Sequence, residues 1–398
     1  MQKIIIFTSA GGGGNMSASN ALASYLKDDF ETTQICLIAD ILKSFDPILF
    51  ATLGKCGGEA TYNAIIPYNQ WWLLNLIYRL GCIYFRLLEP FMRKRIVHYL
   101  RESNADMVIS VIPIFNKIIL QAAQEVDIPF LLIPTDLDIR AYTYNIRFPH
   151  YKKFHLSLIF DTHSIKSNAY ATGIDDHYIT HNGFPLRAEF FEEKNPAALR
   201  AAMGIDQKKP VIMIMMGSQG ANTLVTCVQH LQNLSIPAHL LVCIGKLQTI
   251  KARLANLQLP PWISMDIIEE TNRISDYMAV SDLLISKAGT ASFCEAIHMH
   301  LPMILDATSS PLIWERFNHR FTHNHGLGTV IKNYKELSPY ITQFLENPTI
   351  ARDMRHNISL LKLKDTPDKI KARITRMLRP TYQYSNLMIV YSKKSRLQ

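Results

Sequence analysis

The chain has 398 residues, 48% of them hydrophobic and 19% charged, which suggests about two domains and argues against global disorder. Its net charge of +9 favours anionic ligands, and no finger, basic zipper or aromatic RNA-binding signature supports nucleic acid as a partner. Six scattered cysteines without a CxxC pair indicate reduced thiols in a cytosolic protein rather than disulfides or a zinc site. We expect no signal peptide, because Met1 leads directly into a strand.

Short apolar, β-rich runs alternate with helix-like segments along the chain. In the first half, the predicted strands cover residues 3–8, 34–38, 107–112, 129–133, 155–160 and 177–179. In the second half, they cover residues 211–216, 239–244, 263–267, 283–286, 303–305 and 328–331. This alternation predicts an α/β fold with parallel sheets and right-handed crossovers. Two such series in tandem predict two doubly wound, Rossmann-like domains that face a cleft, where such sheets bind ligands.

The polar, proline-containing segment 184–205 is the candidate linker between the two series. We place the boundary near residue 195, so that the first domain covers 1–195 and the second covers 196–379. Residues 380–398 follow Pro380 and form a C-terminal extension with a basic end. The sequence leaves open whether this extension packs on the protein, touches a membrane or is disordered.

Residues 47–100 interrupt the alternation with a run that is rich in aromatic and basic side chains. Polar residues break its longest uncharged stretch, so a transmembrane helix is not expected. Aromatic and basic residues together suit a surface that lies in an anionic membrane interface. The alternative is a buried helical hairpin that closes the first domain, and both descriptions can hold for different faces of the same segment.

Four glycines, Gly11–Gly14, follow the first predicted strand. A dinucleotide fingerprint needs a third glycine where Met16 or Ser17 stands, and a P-loop needs a lysine where Asn15 stands. A tight strand-to-helix turn would need only one or two glycines. Four in a row favour a loop whose backbone lies close under a ligand, and we expect Gly12, Gly13 and Gly14 to contact it.

Six short segments occur in an order and spacing typical of one known group. They read SAGGGGNMSASNAL, PTDLD, NGFPLR, MMGSQGAN, SKAGTASFCEA and LPMILDATSSPLIWERFN. Together they resemble the GT-B glycosyltransferases that include monogalactosyldiacylglycerol synthase, processive diacylglycerol glucosyltransferase and MurG, over about residues 3–365. The resemblance implies that the second domain binds a nucleotide sugar, usually UDP-linked, and that the first holds the acceptor. It also implies inversion at the anomeric centre, with no cofactor and no catalytic metal.

The resemblance supplies a donor site in the second domain. Its predicted residues are Gly217, Ser218, Gln219, Gly220, Lys287, Gly289, Thr290, Ala291, Glu295, Glu315 and Asn318. Two glycine turns would direct backbone amides at a diphosphate, and Lys287 would stabilise the leaving-group charge. Glu295 would accept the ribose hydroxyls, while Glu315 and Asn318 would contact the sugar or phosphate side. Each of the charged and polar residues could instead be an ordinary solvated or capping group.

The sequence differs from that of the group at positions where catalytic or sugar-binding residues are expected. Asn15 stands where the lipid-synthesising enzymes have a histidine, and an amide cannot accept a proton near pH 7. Asp136 remains placed as a base or an orienting group, unless it only caps the next turn. On the donor side, KAGT replaces the common KPGG or KAGP, and Trp314 replaces a polar residue that usually contacts the sugar.

The leading hypothesis is an inverting glycosyltransferase that moves a hexose from a UDP-linked sugar to a lipid acceptor such as diacylglycerol. Its expected partners are the nucleotide sugar, the lipid and an anionic membrane surface, at the cytoplasmic, inner face of the membrane. The alternative is a catalytically silent protein that binds a nucleotide sugar or lipid, which the identity of Asn15 motivates. A third candidate, an enzyme that hydrolyses or epimerises the nucleotide sugar, would have no use for an aromatic-basic surface.

Overall fold

The computed structural model describes residues 1–11, 13–53, 57–65, 71–216, 222–309, 315–363 and 365–379. The first sheet is parallel, with spatial order β2-β1-β3-β4-β5-β6. Its strands are β1 (Lys3–Thr8), β2 (Glu31–Cys36), β3 (Met107–Ser110), β4 (Phe130–Leu132), β5 (Phe154–Leu158) and β6 (Ile179–His181). The strand order reverses between β1 and β3, which makes the carboxyl ends of these strands a ligand-binding position.

The second sheet is also parallel, with spatial order β12-β11-β10-β7-β8-β9. Its strands are β7 (Val211–Met215), β8 (Ala238–Gly245), β9 (Ile263–Glu269), β10 (Leu283–Lys287), β11 (Met303–Asp306) and β12 (Gly328–Ile331). This is the strand order of a dinucleotide-type Rossmann fold, and its reversal lies between β7 and β10. The predicted glycine turns of the second domain follow these two strands.

All twelve strands predicted from the apolar runs are confirmed, and only β2 and β6 begin more than one residue away from the predicted start. β2 begins three residues earlier than predicted, and it ends at Cys36, two residues early, because Leu37–Ile41 leaves the sheet as a π-helical turn. The Asp40 carboxylate accepts a hydrogen bond of 2.8 Å from the Cys36 amide and holds that turn. β6 begins at Ile179, because Asp176–Tyr178 forms a 3-10 turn before it.

Helices cover both faces of each sheet, as the doubly wound prediction requires. In the first half of the chain they are α1 (Gly14–Leu26), α2 (Pro47–Ala51), α3 (Gly58–Ile65), α4 (Trp71–Leu87), α5 (Glu89–Glu102), α6 (Asn116–Glu125), α7 (His163–Tyr170) and α8 (Pro196–Ala202). In the second half they are α9 (Thr223–Leu231), α10 (Lys251–Ala255), α11 (Ile274–Val280), α12 (Thr290–His298), α13 (Glu315–Asn324), α14 (Leu337–Glu346), α15 (Pro348–Ser359) and α16 (Thr366–Leu378).

Helix α16 returns to the first sheet, although it lies within the range 196–379 that the sequence assigned to the second domain. Its residues Ile370 and Ile374 are buried in one cluster with Ile4 and Ile6 of β1. The start of α16 lies against Gly183, which has a φ of +85°. A Cβ on Gly183 would lie 2.0 Å from Oγ1 of Thr366, so only glycine allows this approach.

The two domains also contact each other directly. The ring of Phe160, which follows β5, stacks on Phe321 of α13 with centroids 5.7 Å apart and planes 15° apart. The candidate linker 184–205 is packed rather than free, because Phe184, Leu186 and Phe190 are buried. These contacts hold the carboxyl ends of the two sheets against a common cleft.

The aromatic-basic segment forms helices with different environments. Helix α5 packs into the first domain through Met92, Ile96, Val97 and Leu100. Helix α4 instead leaves large apolar side chains exposed. No described helix combines the length and apolarity needed to cross a membrane.

Candidate active site

A chain of polar side chains begins on the acceptor side of the cleft. Asn15 lies in the first turn of α1, and its Oδ1 accepts a 2.6 Å hydrogen bond from the Thr135 hydroxyl. Oγ1 of Thr135 lies 2.6 Å from the Tyr142 hydroxyl, which donates to Oδ2 of Asp136 at 3.2 Å. The carbonyl oxygen of the Asn15 side chain is therefore already engaged, and the side-chain Nδ2 remains as its donor group.

The chain continues across the cleft into the second domain. Thr290, the first residue of α12, donates its hydroxyl to Oδ1 of Asp136 at 3.1 Å. The Asn318 side-chain Nδ2 donates to Oγ1 of Thr290 at 3.0 Å and to the Ala288 carbonyl at 2.6 Å. The structure thus brings together four residues that the sequence assigned to two different half-sites: Asn15, Asp136, Thr290 and Asn318.

Asp136 has the electrostatics of a proton acceptor. Its burial in the cleft raises the pKa of the carboxyl to about 6, against the opposing hydrogen bonds from Thr290 and Tyr142. The nearby charge of Asp138 raises that pKa further. A general base works best when its pKa lies near the operating pH, so Asp136 is suited to accept a proton near neutrality.

The turn between β10 and α12 lies at the reversal of the second sheet. Met215 of β7 pairs with Ser286 of β10, so these two strands end side by side. Gly289 is the N-cap residue of α12 and has no side-chain cap, which leaves the first-turn amides without a partner within the helix. This helix start suits an anion, because the helix dipole and those amides both favour negative charge.

Lys287, the last residue of β10, lies close to this turn. Burial lowers the pKa of its ammonium, while the carboxylates of Glu315 and Asp306 oppose that shift. Glu315 begins α13, and Asn318 lies one turn further along the same helix and is buried. Oδ1 of Asn318 has no hydrogen-bond partner among the described residues, which leaves one buried acceptor beside the turn.

Glu295 lies on α12, one helical turn beyond its start, and is 8% exposed. Its carboxylate accepts from the Arg187 guanidinium at 3.3 Å, and Arg187 also pairs with Glu189 at 3.1 Å. Burial raises the pKa of Glu295 to about 7, although the Arg187 charge lowers it. The carboxylate is therefore held at the domain junction by a residue of the NGFPLR segment.

The glycine turn after β1 is described only in part. Gly13 is the N-cap of α1 with a φ of +88°, a conformation that favours glycine. A Cβ on Gly14 would have no atom within 4 Å, so there is open space above the backbone at that position. Gly12, Trp314 and the donor turn Gly217, Ser218, Gln219 and Gly220 lie outside the described residues.

The exposed face of α4 forms an apolar stripe, which we call the α4 stripe. Its members lie at helical spacing, and each is at least 45% exposed: Trp72, Leu76, Leu80, Ile83 and Leu87. Exposed Arg79 and Arg86 lie on the same helix. Beside it, a cavity of about 520 Å³ is bounded by α4 and by the segment after β4, including Tyr78, Cys82 and Tyr144. Its lining also includes Ile83 of the stripe and Asp138, which lies two residues after Asp136.

Thr135, Tyr142 and Arg187 contact the predicted site residues, and no role was predicted for any of them. Thr135 and Arg187 lie inside the segments PTDLD and NGFPLR, which is the signal that the sequence carries for them. No pattern in the sequence marks Tyr142. It belongs to the site because the turn after β4 returns its hydroxyl to Asp136.

Two family models match this chain over different residues. The model for monogalactosyldiacylglycerol (MGDG) synthase matches residues 15–186, and the model for the glycosyltransferase family 28 C-terminal domain matches residues 211–355. The computed structure resembles the crystal structure of MurG from Acinetobacter baumannii with a TM-score of 0.63 at 14% identity, covering 94% of this chain and 100% of that one. At that identity the likeness concerns the fold alone.

Curated relatives agree with both models. Monogalactosyldiacylglycerol synthase from Spinacia oleracea is 22% identical over 86% of this chain and 66% of that protein. Processive diacylglycerol beta-glucosyltransferase from Staphylococcus carnosus is 20% identical over 97% of this chain and 95% of that protein. The chain therefore spans just under two thirds of the spinach relative and nearly all of the staphylococcal one.

Two tandem Rossmann-like domains that meet at a polar cleft are the GT-B fold, and the predicted fold class is confirmed. Within that fold, the first domain matches the MGDG synthase family and the second matches the C-terminal domain of glycosyltransferase family 28, in agreement with the curated relatives. The family resemblance inferred from six short segments is thus confirmed as well.

Proposed function

We propose that this protein transfers a hexosyl group from a nucleotide sugar, most simply a UDP-sugar, to the hydroxyl of a lipid such as diacylglycerol. The observation that carries this proposal is the contact between Asp136 and Thr290, 3.1 Å apart, because it joins a buried proton acceptor to the start of an anion-favouring helix. The curated relatives named as diacylglycerol and MGDG enzymes support the choice of a lipid acceptor.

The reaction is a single in-line displacement. The acceptor oxygen forms a bond to the anomeric carbon as its proton moves to Oδ1 of Asp136. The bond from that carbon to the phosphate oxygen breaks, and its electron pair leaves with the nucleoside diphosphate. Because attack comes from the side opposite the leaving group, the configuration inverts. The α12 amides at Gly289, Thr290 and Ala291, together with Lys287, stabilise the departing charge.

The remaining predicted residues have binding roles in this proposal. Glu295 accepts hydrogen bonds from both ribose hydroxyls, in place of its present contact with Arg187. The buried Oδ1 of Asn318 accepts a hydroxyl of the donor sugar, and Glu315 flanks it. The turn Gly217–Gly220 contacts the nucleotide from β7.

On the acceptor side, Nδ2 of Asn15 donates to the acceptor oxygen. This orients the hydroxyl and leaves the proton to Asp136, which takes over the role that a histidine has in related enzymes. Gly12, Gly13 and Gly14 let the acceptor approach the backbone. The cavity of about 520 Å³ beside α4, lined by Ile83 of the α4 stripe and by Asp138, would hold the lipid between the stripe and the segment that carries Asp136.

The test of this function is calorimetric titration with UDP, followed by incubation of the protein with UDP-hexoses and vesicles that contain diacylglycerol. We expect binding heat with UDP and a sugar-linked lipid as product. Absence of both would overturn the proposal. UDP binding without product under every combination of donor and acceptor would instead favour a silent binding protein.

We further propose that the protein acts as a peripheral protein on an anionic membrane, at its cytoplasmic face. The α4 stripe would enter the interface while Arg79 and Arg86 meet acidic headgroups. Removing large apolar side chains from water is favourable by about 1.5–3 kcal/mol each when burial is complete. The five described cysteines are free thiols, which suits a reducing compartment.

Replacing Leu80 and Leu87 together with glutamate is expected to lower vesicle binding by about tenfold or more, because it removes apolar contact and adds negative charge. Flotation with phosphatidylglycerol-containing vesicles measures this change. The matched control is Leu360→Glu, because Leu360 is an exposed leucine (64%) on the second domain. Equal flotation of the double variant and the control would contradict a role for α4.

A further inference from the structure

Thr290 occupies a distinctive place between the two halves of the site. It is the first residue of α12, its side chain is buried, and its hydroxyl reaches across the cleft to Oδ1 of Asp136. Oγ1 of Thr290 also accepts a hydrogen bond from Nδ2 of Asn318. One hydroxyl therefore contacts both Asp136 on the acceptor side and Asn318 on the donor side.

The direction of these hydrogen bonds follows from counting protons. A threonine hydroxyl has one proton to donate. Nδ2 of Asn318 has no lone pair to accept with, and the second contact of this nitrogen, 2.6 Å from the Ala288 carbonyl, fixes its orientation. The single proton of Thr290 is therefore directed at Asp136 in the free protein.

A bound diphosphate would compete for that proton. The start of α12 favours an anion, and phosphate oxygens are strong acceptors. A hydroxyl directs its single proton at one acceptor, and Asp136 and the phosphate, being like charges, each disfavour the ionised form of the other at short range. The hydroxyl can serve the carboxylate or the phosphate, but not both.

We propose that Thr290 couples the two half-sites. A nucleoside diphosphate at the start of α12 accepts the hydrogen bond of the Thr290 hydroxyl, which frees Oδ1 of Asp136 to accept a hydrogen bond from the acceptor. This inference rests on the proposed function. Before donor binding, Oδ1 is occupied by Thr290. After it, Oδ1 faces the acceptor hydroxyl and accepts its proton when the new glycosidic bond forms. Thr290 is a positioning residue in this account, because it acts through Asp136.

The coupling has a measurable electrostatic consequence. The hydrogen bond from Thr290 lowers the pKa of Asp136, so losing it raises that pKa above its value of about 6 in the free protein. Nucleotide binding should then be accompanied by proton uptake at Asp136. Among the described residues, the other ionisable groups that interact with Asp136 are Tyr142, Asp138, Tyr62 on α3 and Cys294 on α12. The pKa values of the tyrosines and Cys294 are raised, so these groups stay protonated near pH 6.5 and do not contribute.

The test is titration calorimetry of the full chain with UDP at pH 6.5, in two buffers with different ionisation enthalpies. The variants are Thr290→Val, which keeps the shape and removes the hydroxyl, and Thr290→Ser, which restores it. Thr375→Val on α16 is the matched control, because its hydroxyl only bonds a carbonyl within its own helix. Titration of Glu295 contributes equally to all four proteins and cancels in the comparison. The UDP phosphate loses a hydrogen-bond donor in Thr290→Val, so the difference in proton uptake between Asp136→Asn and the double variant Asp136→Asn/Thr290→Val measures the phosphate contribution and is subtracted.

A rise of one unit in the pKa of Asp136, centred on pH 6.5, corresponds to an uptake of about 0.5 proton per UDP. We expect the wild-type protein to take up about 0.5 proton more per UDP than Thr290→Val does. Thr290→Ser and Thr375→Val should take up as many protons as the wild type. Equal uptake by Thr290→Val and the wild type would overturn the coupling alone. Absence of any binding heat in the wild type would overturn the proposed function and the coupling with it.

Discussion

Replacing Asp136 with asparagine is expected to lower the transfer rate by about 100- to 10,000-fold, the usual contribution of a general base. The asparagine side chain keeps an acceptor for Thr290 and a donor for Tyr142, so the geometry of the cleft should survive. It cannot take the proton of the acceptor. The rate of sugar transfer to vesicle-borne lipid, at saturating UDP-hexose, measures the loss.

The same variant is expected to be more stable than the wild type above pH 6. The folded protein raises the pKa of Asp136 to about 6, so folding takes up a proton between pH 4 and 6. The free energy of unfolding of the wild type therefore falls as the pH rises through this window, and above it the cost of the buried charge is complete. Asparagine removes that cost, worth about 1–3 kcal/mol.

Urea unfolding at pH 5 and pH 8 checks this prediction, with a larger gain for Asp136→Asn at pH 8. Asp161→Asn is the control, since Asp161 is an exposed carboxylate after β5, the neighbouring strand of the same sheet. It should leave the transfer rate within about threefold. An Asp136→Asn protein that transfers sugar as fast as this control would remove Asp136 from the mechanism.

Replacing Glu295 with alanine is expected to weaken UDP binding by about 10- to 150-fold, because hydrogen bonds to a charged group contribute about 1.5–3 kcal/mol. Glu189→Ala is the matched control. Both glutamates pair with Arg187, at 3.3 Å and 3.1 Å, but only Glu295 lies on the helix that begins at the donor turn. Calorimetric titration with UDP compares the two variants.

The pH dependence separates a ribose contact from a structural one. Burial raises the pKa of Glu295 to about 7, and two hydroxyl donors would favour its ionised form. The contribution of Glu295 to UDP affinity should therefore be larger at pH 8 than at pH 6. The loss of affinity in Glu295→Ala, relative to the wild type, should accordingly be larger at pH 8 than at pH 6. Equal losses of affinity in the Glu295 and Glu189 variants would point to a general disturbance around Arg187.

The sheets could be predicted from the sequence because parallel strands that are buried on both faces appear as short apolar runs. β1, β7 and β12 begin where the runs predicted, while β2 and β6 were displaced by turns that the side chain of Asp40 and the residues before Ile179 control. The return of α16 to the first sheet could not be predicted. The residue pattern of an amphipathic helix indicates that one face is buried, but it does not indicate which sheet that face packs against.

Short local motifs selected the glycine turns and Asp136, Thr290, Glu295 and Asn318 as candidate site residues, and their roles stay predictions. These residues stayed separate in the prediction, because nothing local indicates that Thr290 donates to Asp136 from 154 positions away. Tyr142 and the pair of Arg187 with Glu295 were missed for the same reason. Both arise from contacts between segments that only the folded chain brings together.

The central claim is that the start of α12 holds a diphosphate while Glu295 binds the pentose. A crystal structure with soaked UDP tests it most directly. We expect phosphate oxygens within about 3 Å of the amides at Thr290 and Ala291, both ribose hydroxyls on Glu295, and the hydroxyl of Thr290 turned from Asp136 to phosphate. UDP bound in another cavity, or Glu295 still paired with Arg187 and without contact to the ribose, would contradict the account.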